Sequence, residues 1–331
     1  MMAPPLELTG GSEALGSSPT PSWHFYHWHA GAEQAYTLLL ECLTMRDRDG
    51  NPRGLRIVGE SRAGKSSFLA NATTRLHKEH PELASGLYVS QPPLESRDIE
   101  GAIRQRELEG ARHKNAPLHP KGPVLKAQSD HIWVSCTGFV WEEAHQFFLE
   151  KTKHFRMQSA AFFRLRMNEM KKPIIFLGTE VLHDYIRLSS ELANRFRATA
   201  ELGRYTLDND AEEHAFVRLL ADLEDKLPVT VVPSLQEPRM MLRCFCACNG
   251  LIGDLMDLTE RAVQRAQAKG VAVIHQEDLA DAFDSEFPER AAQFNPFDMD
   301  ASDDKVVKAI TDQAQRLKAL RPRQARRRGQ A

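Results

Sequence analysis

Cysteine is scarce in this chain, with five in 331 residues, and no two form a C-x-x-C pair. The odd count and the missing spacing argue against a disulfide scaffold and a thiolate zinc site, and fit a reducing compartment. Three of them crowd into Arg243-Cys244-Phe245-Cys246-Ala247-Cys248. On a helix Cys244 and Cys248 share a face while Cys246 points elsewhere, so small buried hydrophobes are expected rather than a metal site. No apolar run reaches membrane length, and the N-terminus lacks a charged-then-apolar leader, so no membrane partner and a cytoplasmic location are expected. There is no excess of either charge: the net is −2, which says little about partners. Absent too is an Asn-Lys-x-Asp guanine-reading motif, which argues against a small GTPase, and no internal repeat is visible. What remains, 42% hydrophobic and 27% charged residues, describes an ordinary globular protein able to bury a core.

The most informative stretch is Gly59-Glu60-Ser61-Arg62-Ala63-Gly64-Lys65-Ser66, a full G-x-x-x-x-G-K-[ST] phosphate-binding loop. A short apolar strand, Leu55–Val58, precedes it, and Ser67-Phe68-Leu69-Ala70 opens an amphipathic helix behind it. The glycines let the backbone curl so that successive N–H groups point at phosphate oxygens, and the helix N-terminus adds positive potential. Lys65 is then placed for the β- and γ-phosphates, and the Ser66 hydroxyl for Mg²⁺. A glycine turn that merely capped a helix would not need lysine and serine together.

Around the loop, strands alternate with helices. Residues 1–22, rich in Pro, Gly and Ser, read as a disordered lead-in. The segment Trp23–His29 is dense in aromatics and histidines. It fits a packing anchor first, with a pocket for the nucleotide base or a metal site as alternatives. Helix is expected over 32–45, strand over 86–90, a charged helix over 95–114 and a proline-containing loop over 115–130. Ile132–Trp141 reads as one long strand, 143–171 as a helix or helix pair, Pro173–Leu177 as a buried strand and 181–196 as a helix. Arg204–Leu207 reads as the last strand. The fold class is therefore α/β, a parallel sheet flanked by helices over 23–208. Helices alone are expected over 209–285, at about 210–226, 236–248, 251–269 and 276–285, broken by Pro228, Pro233, Asn249-Gly250 and Gly270. From 286 to 331 come Asn295-Pro296-Phe297, an amphipathic helix near 302–320 and an arginine-rich end.

Hydrolysis needs a second strand bearing carboxylates. Thr137-Gly138-Phe139-Val140-Trp141-Glu142-Glu143 supplies it: Glu142 would face the water shell of Mg²⁺ and Glu143 would polarise the attacking water. The metal-side position is usually Asp, and Glu is one methylene longer. Acids gathered at a helix N-terminus for dipole reasons are the plainer alternative. Thr179, after the strand ending at Gly178, is placed to sense the γ-phosphate or to cap the next helix. Arg195 and Arg197 end the following helix, where an arginine can reach a neighbouring subunit's γ-phosphate or serve only the helix dipole.

The order and spacing of Gly59–Ser66, Glu142-Glu143-Ala144-His145, Ile174–Thr179 and Glu191-Leu192-Ala193-Asn194-Arg195-Phe196 resemble an AAA+ ATPase with a C-terminal α-helical lid, and more narrowly the TniB/TnsC family of transposition regulators. Asn249-Gly250-Leu251-Ile252-Gly253-Asp254-Leu255, then Ala262, Ala266, Gly270, Ile274 and the 277–283 helix resemble that family's end. The likeness covers about residues 25–285. The arginine that many AAA+ lids carry around Gly250–Gly253 is missing. The resemblance implies an ATPase of the bacterial cytosol and nucleoid with ATP and Mg²⁺ as cofactors. It implies a homo-oligomer, ring or helical filament, on duplex DNA in the ATP state that recruits or activates the transposase and is disassembled by hydrolysis. Target choice would come from a separate target-selector protein, and the DNA backbone would be contacted without sequence reading. A signalling or scaffold NTPase and a replication-loader AAA+ protein are the competing classes. Candidate backbone contacts are Arg104, Arg106, Arg112, Lys114, Lys121 and Lys126, then Lys151, Lys153, His154 and Arg156. The Arg321–Arg328 tail, five arginines and no acid, is a further candidate for DNA or partner contact.

Overall fold

The structure, a computed structural model, describes residues 25–93, 96–110, 121–149 and 151–328, with side chains to 319. The chain enters on α1 (Ala30–Thr44) and crosses a polar turn in which the Asp47 carboxylate accepts from the Asn51 and Asp49 amides. It continues through β1 (Leu55–Val58), α2 (Lys65–Glu79), the single turn α3 (Pro81–Ala84) and β2 (Leu87–Ser90). Then α4 (Ile99–Gly110) and α5 (Gly122–Ser135) precede β3 (Gly138–Trp141). A 3-10 turn at Ala144–Phe147 and α6 (Lys153–Met170) lead to β4 (Ile174–Gly178), and α7 (Leu182–Ile186) and α8 (Ser190–Arg195) to β5 (Ala198–Glu201).

These five strands are all parallel and lie in the order β2-β3-β4-β1-β5. Residues alternate across the sheet, as the pleat requires. Leu55, Ile57, Val140, Ile175 and Leu177 face the layer of α1 and α2. Val58, Phe139, Trp141, Ile174 and Phe176 face a layer built by α4 to α8. That second layer is unusually aromatic: Trp133, Phe139 and Trp141 stack in series, and Phe147, Phe163 and Phe176 pack edge-on behind them. Parallel strands buried on both faces read as continuous apolar runs, which is why these segments are visible in the sequence.

Two expectations fail here. The apolar stretch 132–141 is not one strand: Ile132–Ser135 closes α5, and only Gly138–Trp141 is extended. The same helix occupies much of the expected loop, since it starts at Gly122 with a proline in its first turn, where the missing N–H costs nothing. An apolar run cannot distinguish a buried helix end from a strand by period alone. Nor is Arg204–Leu207 the last strand. The edge strand is Ala198–Glu201, after which Leu202 donates to Val58 and Tyr205 donates to Gly250, turning the chain away from the sheet.

The remaining elements are α9 (Asp210–Glu224), β6 (Thr230–Val232), α10 (Pro238–Cys248), α11 (Ile252–Lys269), β7 (Val273–His275), α12 (Gln276–Glu286), α13 (Pro288–Ala291) and α14 (Asp303–Arg328). The four expected helices are present, with one addition: β6 and β7 pair in parallel, so the region is not purely helical. Its core gathers Phe216, Leu219, Leu223, Phe245, Leu255, Leu258, Ile274 and Phe283. Cys244, Cys246 and Cys248 are buried free thiols, and burial pushes Cys246 and Cys248 up to about 11 and 12. They act as small hydrophobes, and among the described residues no group of three or more His, Cys, Asp or Glu side chains is placed to hold a metal ion. Arg243, buried in the same helix, ties the start of α14 down through the Pro296 and Ala301 carbonyls and Asp303.

Candidate functional site

The C-terminal edge of a parallel sheet is where ligands bind, and the predicted loop, Glu142, Glu143 and Thr179 converge there. The loop 59–64 leaves β1 between β4 and β5. Gly59 N–H donates to Gly178 O at 3.1 Å, and a Cβ on Gly59 would collide with the Leu202 carbonyl. Gly64 has φ +83 and starts α2 without a side-chain cap, so the first-turn amides stay free for an anion. Lys65 is buried, its Nζ donating to the carbonyls of Gly59 (3.0 Å) and Glu60 (2.7 Å). Burial lowers its pKa, against the pull of Glu143 and Glu60.

On the neighbouring side β3 delivers the two acids. Glu142 N–H donates to Ser90 O at 2.8 Å, and the Ser66 hydroxyl faces the Glu142 carboxylate, whose pKa burial raises. Glu143 sits in the left-handed region at φ 48, a conformation that costs a non-glycine residue about 1–3 kcal/mol and clusters at functional sites. Its carboxylate lies 3.5 Å from His145 Nδ1. Burial lowers the His145 pKa, and its ring abuts Gly178, where a Cβ would stand 3.0 Å from Nδ1. The Thr179 hydroxyl is buried with no hydrogen-bond partner and does not cap α7, whose N-cap is Val181. A hydroxyl–carboxylate pair suits a hard cation, and an unpartnered hydroxyl beside free helix amides suits a phosphate. The residues present therefore fit Mg²⁺ and a nucleotide.

A cavity of 210 Å³ opens beside the loop, walled by Tyr26, His29, Ser67, Leu202, Ile252 and Met256. The aromatic N-terminal segment thus does two jobs. Trp28 packs into the core under the Arg75 guanidinium, and His27 bonds Asp222 of α9 at 2.6 Å, while Tyr26 and His29 face the cavity. Trp23 and His24 lie outside the described residues.

No protein-family model and no curated protein matches the sequence. Solved structures do. The chain is similar to domain III of the Thermotoga maritima replication initiation protein DnaA, 11% identical over 78% of this chain and 92% of that one, TM-score 0.51. It is similar to the Aeropyrum pernix ORC2 protein (ADPNP–ADP complexes), 14% identical over 80% and 69%, TM-score 0.51. The A. pernix ORC1 protein in complex with DNA is 12% identical over 82% and 68%, TM-score 0.52. The chain shares their fold, and the expected α/β class is found: a five-stranded parallel sheet flanked by helices with a helical C-terminal region.

Within this core the other expected residues are more scattered. Arg195 lies at the opposite edge of the sheet, where its carbonyl accepts from Gly54, ahead of β1. Its guanidinium is held by Asp47 at 3.1 Å and Asn168 at 2.9 Å, so it does not enter its own chain's phosphate site. Arg197 is exposed. Arg104 does not belong to a DNA-facing cluster: it is buried and bonded to Glu100, Ser129 and Asp130. It belongs to an internal network with Arg166 and the fully buried Glu107. Arg106 is paired with Glu109. Lys121, Lys126, Lys153 and His154 are exposed, Lys151 lies over the Phe155 ring and Arg156 over Phe148. Arg112 and Lys114 lie outside the described residues, as do the side chains of the Arg321–Arg328 tail. Four residues beside the loop escaped sequence reading: His145, Arg204, which bonds Glu60, and Asp254 and Asp257 of α11, which bond Arg62. Only His145 carried a signal, its place two residues after Glu143.

Proposed function

We propose that this chain binds and hydrolyses ATP and acts on duplex DNA as a regulator of transposition of the TniB/TnsC type, assembling as a homo-oligomer that engages transposase subunits and a target-selector protein. The observation that carries the chemistry is the convergence of Lys65, the Ser66–Glu142 pair, Glu143 and the partnerless Thr179 hydroxyl on one sheet edge. Gly59 to Ser67 would cradle the phosphates through backbone N–H groups, with Lys65 turning from the loop carbonyls to the β- and γ-oxygens. Ser66 and Glu142 would hold Mg²⁺, which when bound supplies positive charge against the phosphate oxygens. Glu143, kept within reach of His145, orients the attacking water and accepts its proton, and Thr179 donates to the γ-phosphate. The narrower reading is supported by the Glu191–Phe196 and Asn249–Leu255 segments, and DNA association by the likeness in fold to ORC1, solved with DNA. In that reading Arg195 acts on a neighbouring subunit, exchanging Asp47 for the neighbour's γ-phosphate. The similarity to DnaA and ORC2 favours a second reading, an initiator or loader in replication.

Electron microscopy of the purified chain with duplex DNA and a non-hydrolysable ATP analogue tests the assembly. Rings or filaments dependent on nucleotide are expected, and their absence at low salt sinks the DNA-assembly reading. Adjacent transposase genes, and stimulation of the transposase they encode, would separate the first reading from the second.

A further inference from the structure

Two variable positions of the phosphate loop, Glu60 and Arg62, carry charge, and both side chains engage the lid side of the molecule. The Glu60 carboxylate takes two bonds from Arg204, one of them from Nε at 2.9 Å, and Arg204 Nη1 reaches across to the Asn249 carbonyl at 2.9 Å. Arg62, at φ 69, points its guanidinium at the N-terminus of α11. It donates to Asp254 (3.2 Å), to the Gly253 carbonyl (2.8 Å) and to Asp257. The backbones touch as well: Gly253 N–H donates to the Arg62 carbonyl at 2.9 Å. A Cβ at Gly253 would sit 2.8 Å from that oxygen. Asp254 is fixed from behind by Arg290 at 3.1 Å, which lies over the Phe287 ring. An aspartate in the first turn of α11 is favoured by the helix dipole, so the lid presents preorganised acid to the loop. Arg62, Gly253 and Asp257 also wall the 210 Å³ cavity, so the contact forms part of its lining.

We propose that Arg62–Asp254/Asp257 and Glu60–Arg204–Asn249 form a charged clasp that holds the lid against the phosphate loop and sets the rate at which nucleotide leaves. The arrangement supplies a lid coupling in a chain whose 250–253 segment has no arginine: the cation sits on the loop and the acids on the lid. Arg62, Asp257 and Arg204 are positioning residues, acting on the nucleotide through the lid. The clasp rests on Gly59–Ser66 being a nucleotide site, and the test separates the two.

The side chains of Arg62 and Asp257 are 43% and 35% exposed, so their replacement leaves core packing intact. Release of a fluorescent ADP from the full chain, followed by stopped flow, is compared among wild type, Arg62→Ala, Arg62→Asp, Asp257→Arg and the charge swap Arg62→Asp/Asp257→Arg. Each single variant is expected to release about tenfold faster, the effect of removing a partly exposed charge-assisted network. The swap is expected to return to within about threefold of wild type. Wild-type release from Arg62→Ala overturns the clasp. So does a swap no better than its parents, which would mean that Arg62 touches the nucleotide directly. A donor–acceptor dye pair on α2 and α11 gives a second readout without nucleotide: a narrow distance distribution in wild type that broadens in Arg62→Ala. If wild type binds no fluorescent ADP, the phosphate-site reading falls, and an unchanged distribution in Arg62→Ala overturns the clasp independently.

Discussion

Replacing Gly59 with alanine should destabilise the core without touching any catalytic side chain. Its added Cβ would fall inside 3.0 Å of the Leu202 carbonyl oxygen and 3.2 Å from the carbonyl carbon. Neither partner can swing aside. Leu202 is tied to Val58 by a backbone bond of 2.8 Å, and Gly59 itself is tied to Gly178 at 3.1 Å. Overpacking against backbone costs about 1–3 kcal/mol, and stretching either bond adds about 0.5–1.5 kcal/mol. With a shift of about 2–4 °C per kcal/mol for a unit of this size, the melting temperature should fall by about 3–18 °C. Gly203, three residues beyond the edge strand's Ala200, is the control. A Cβ there meets nothing within 4 Å and its φ is not positive, so Gly203→Ala should be neutral or raise stability by about 0.4–1 kcal/mol through the unfolded chain. Calorimetry of both variants without nucleotide decides the matter. If Gly59→Ala melts with Gly203→Ala, the close approach of loop and edge strand is not what requires glycine.

Glu143→Gln keeps the side chain's size but removes the proton acceptor, so phosphate release should fall about 10²- to 10⁴-fold while ATP still binds; turnover near wild type would remove Glu143 from the chemistry. His29 N-caps α1 by accepting from Ala32 N–H at 3.3 Å, which requires an unprotonated Nδ1, and burial with His27 nearby lowers its pKa below 6.5. A depressed folded-state pKa contributes stability that is present above 6.5 and lost as pH falls through the lower folded value. The denaturation midpoint should therefore drop on acidification below 6.5, and His29→Asn, which caps without titrating, should flatten that drop. Arg166→Met strands the fully buried Glu107 and should cost about 3–5 kcal/mol in chemical denaturation. Adding Glu107→Leu should recover most of it, since the pair is then replaced by apolar volume.

Where an expected site is written in contiguous residues, its members are placed together whatever the fold does. Gly59–Ser66 needs particular residue types at consecutive positions, because backbone amides, one lysine and one hydroxyl must surround a single phosphate group. Strands buried on both faces are equally plain, since each is an unbroken apolar run. The boundary between α5 and β3 was not legible, because Ile132 and Trp133 are buried at the end of a helix and leave the same apolar mark as a strand would, and Val134 beside them is apolar though exposed. The edge strand was missed for the opposite reason: Ala198-Thr199-Ala200-Glu201 is half covered and carries too little apolar surface to announce itself.

Charge is where sequence alone stops. Arg104 sits in a basic stretch and looks solvent-facing, yet Asp130, distant in sequence, and the Arg166 network draw it inside. Lys121 and Lys153 look the same on paper and stay exposed. Glu60 and Arg62 occupy variable loop positions, where any side chain is chemically permitted. Only the packing of α11 against the loop brings Asp254 and Asp257, about 190 residues away, to meet Arg62. The sequence determined which residues of Gly59–Ser66 stand side by side, because that spacing is local. The tertiary structure decided which charges remain available to anything else, because an ion pair depends on distance in space and a burial that no single segment encodes.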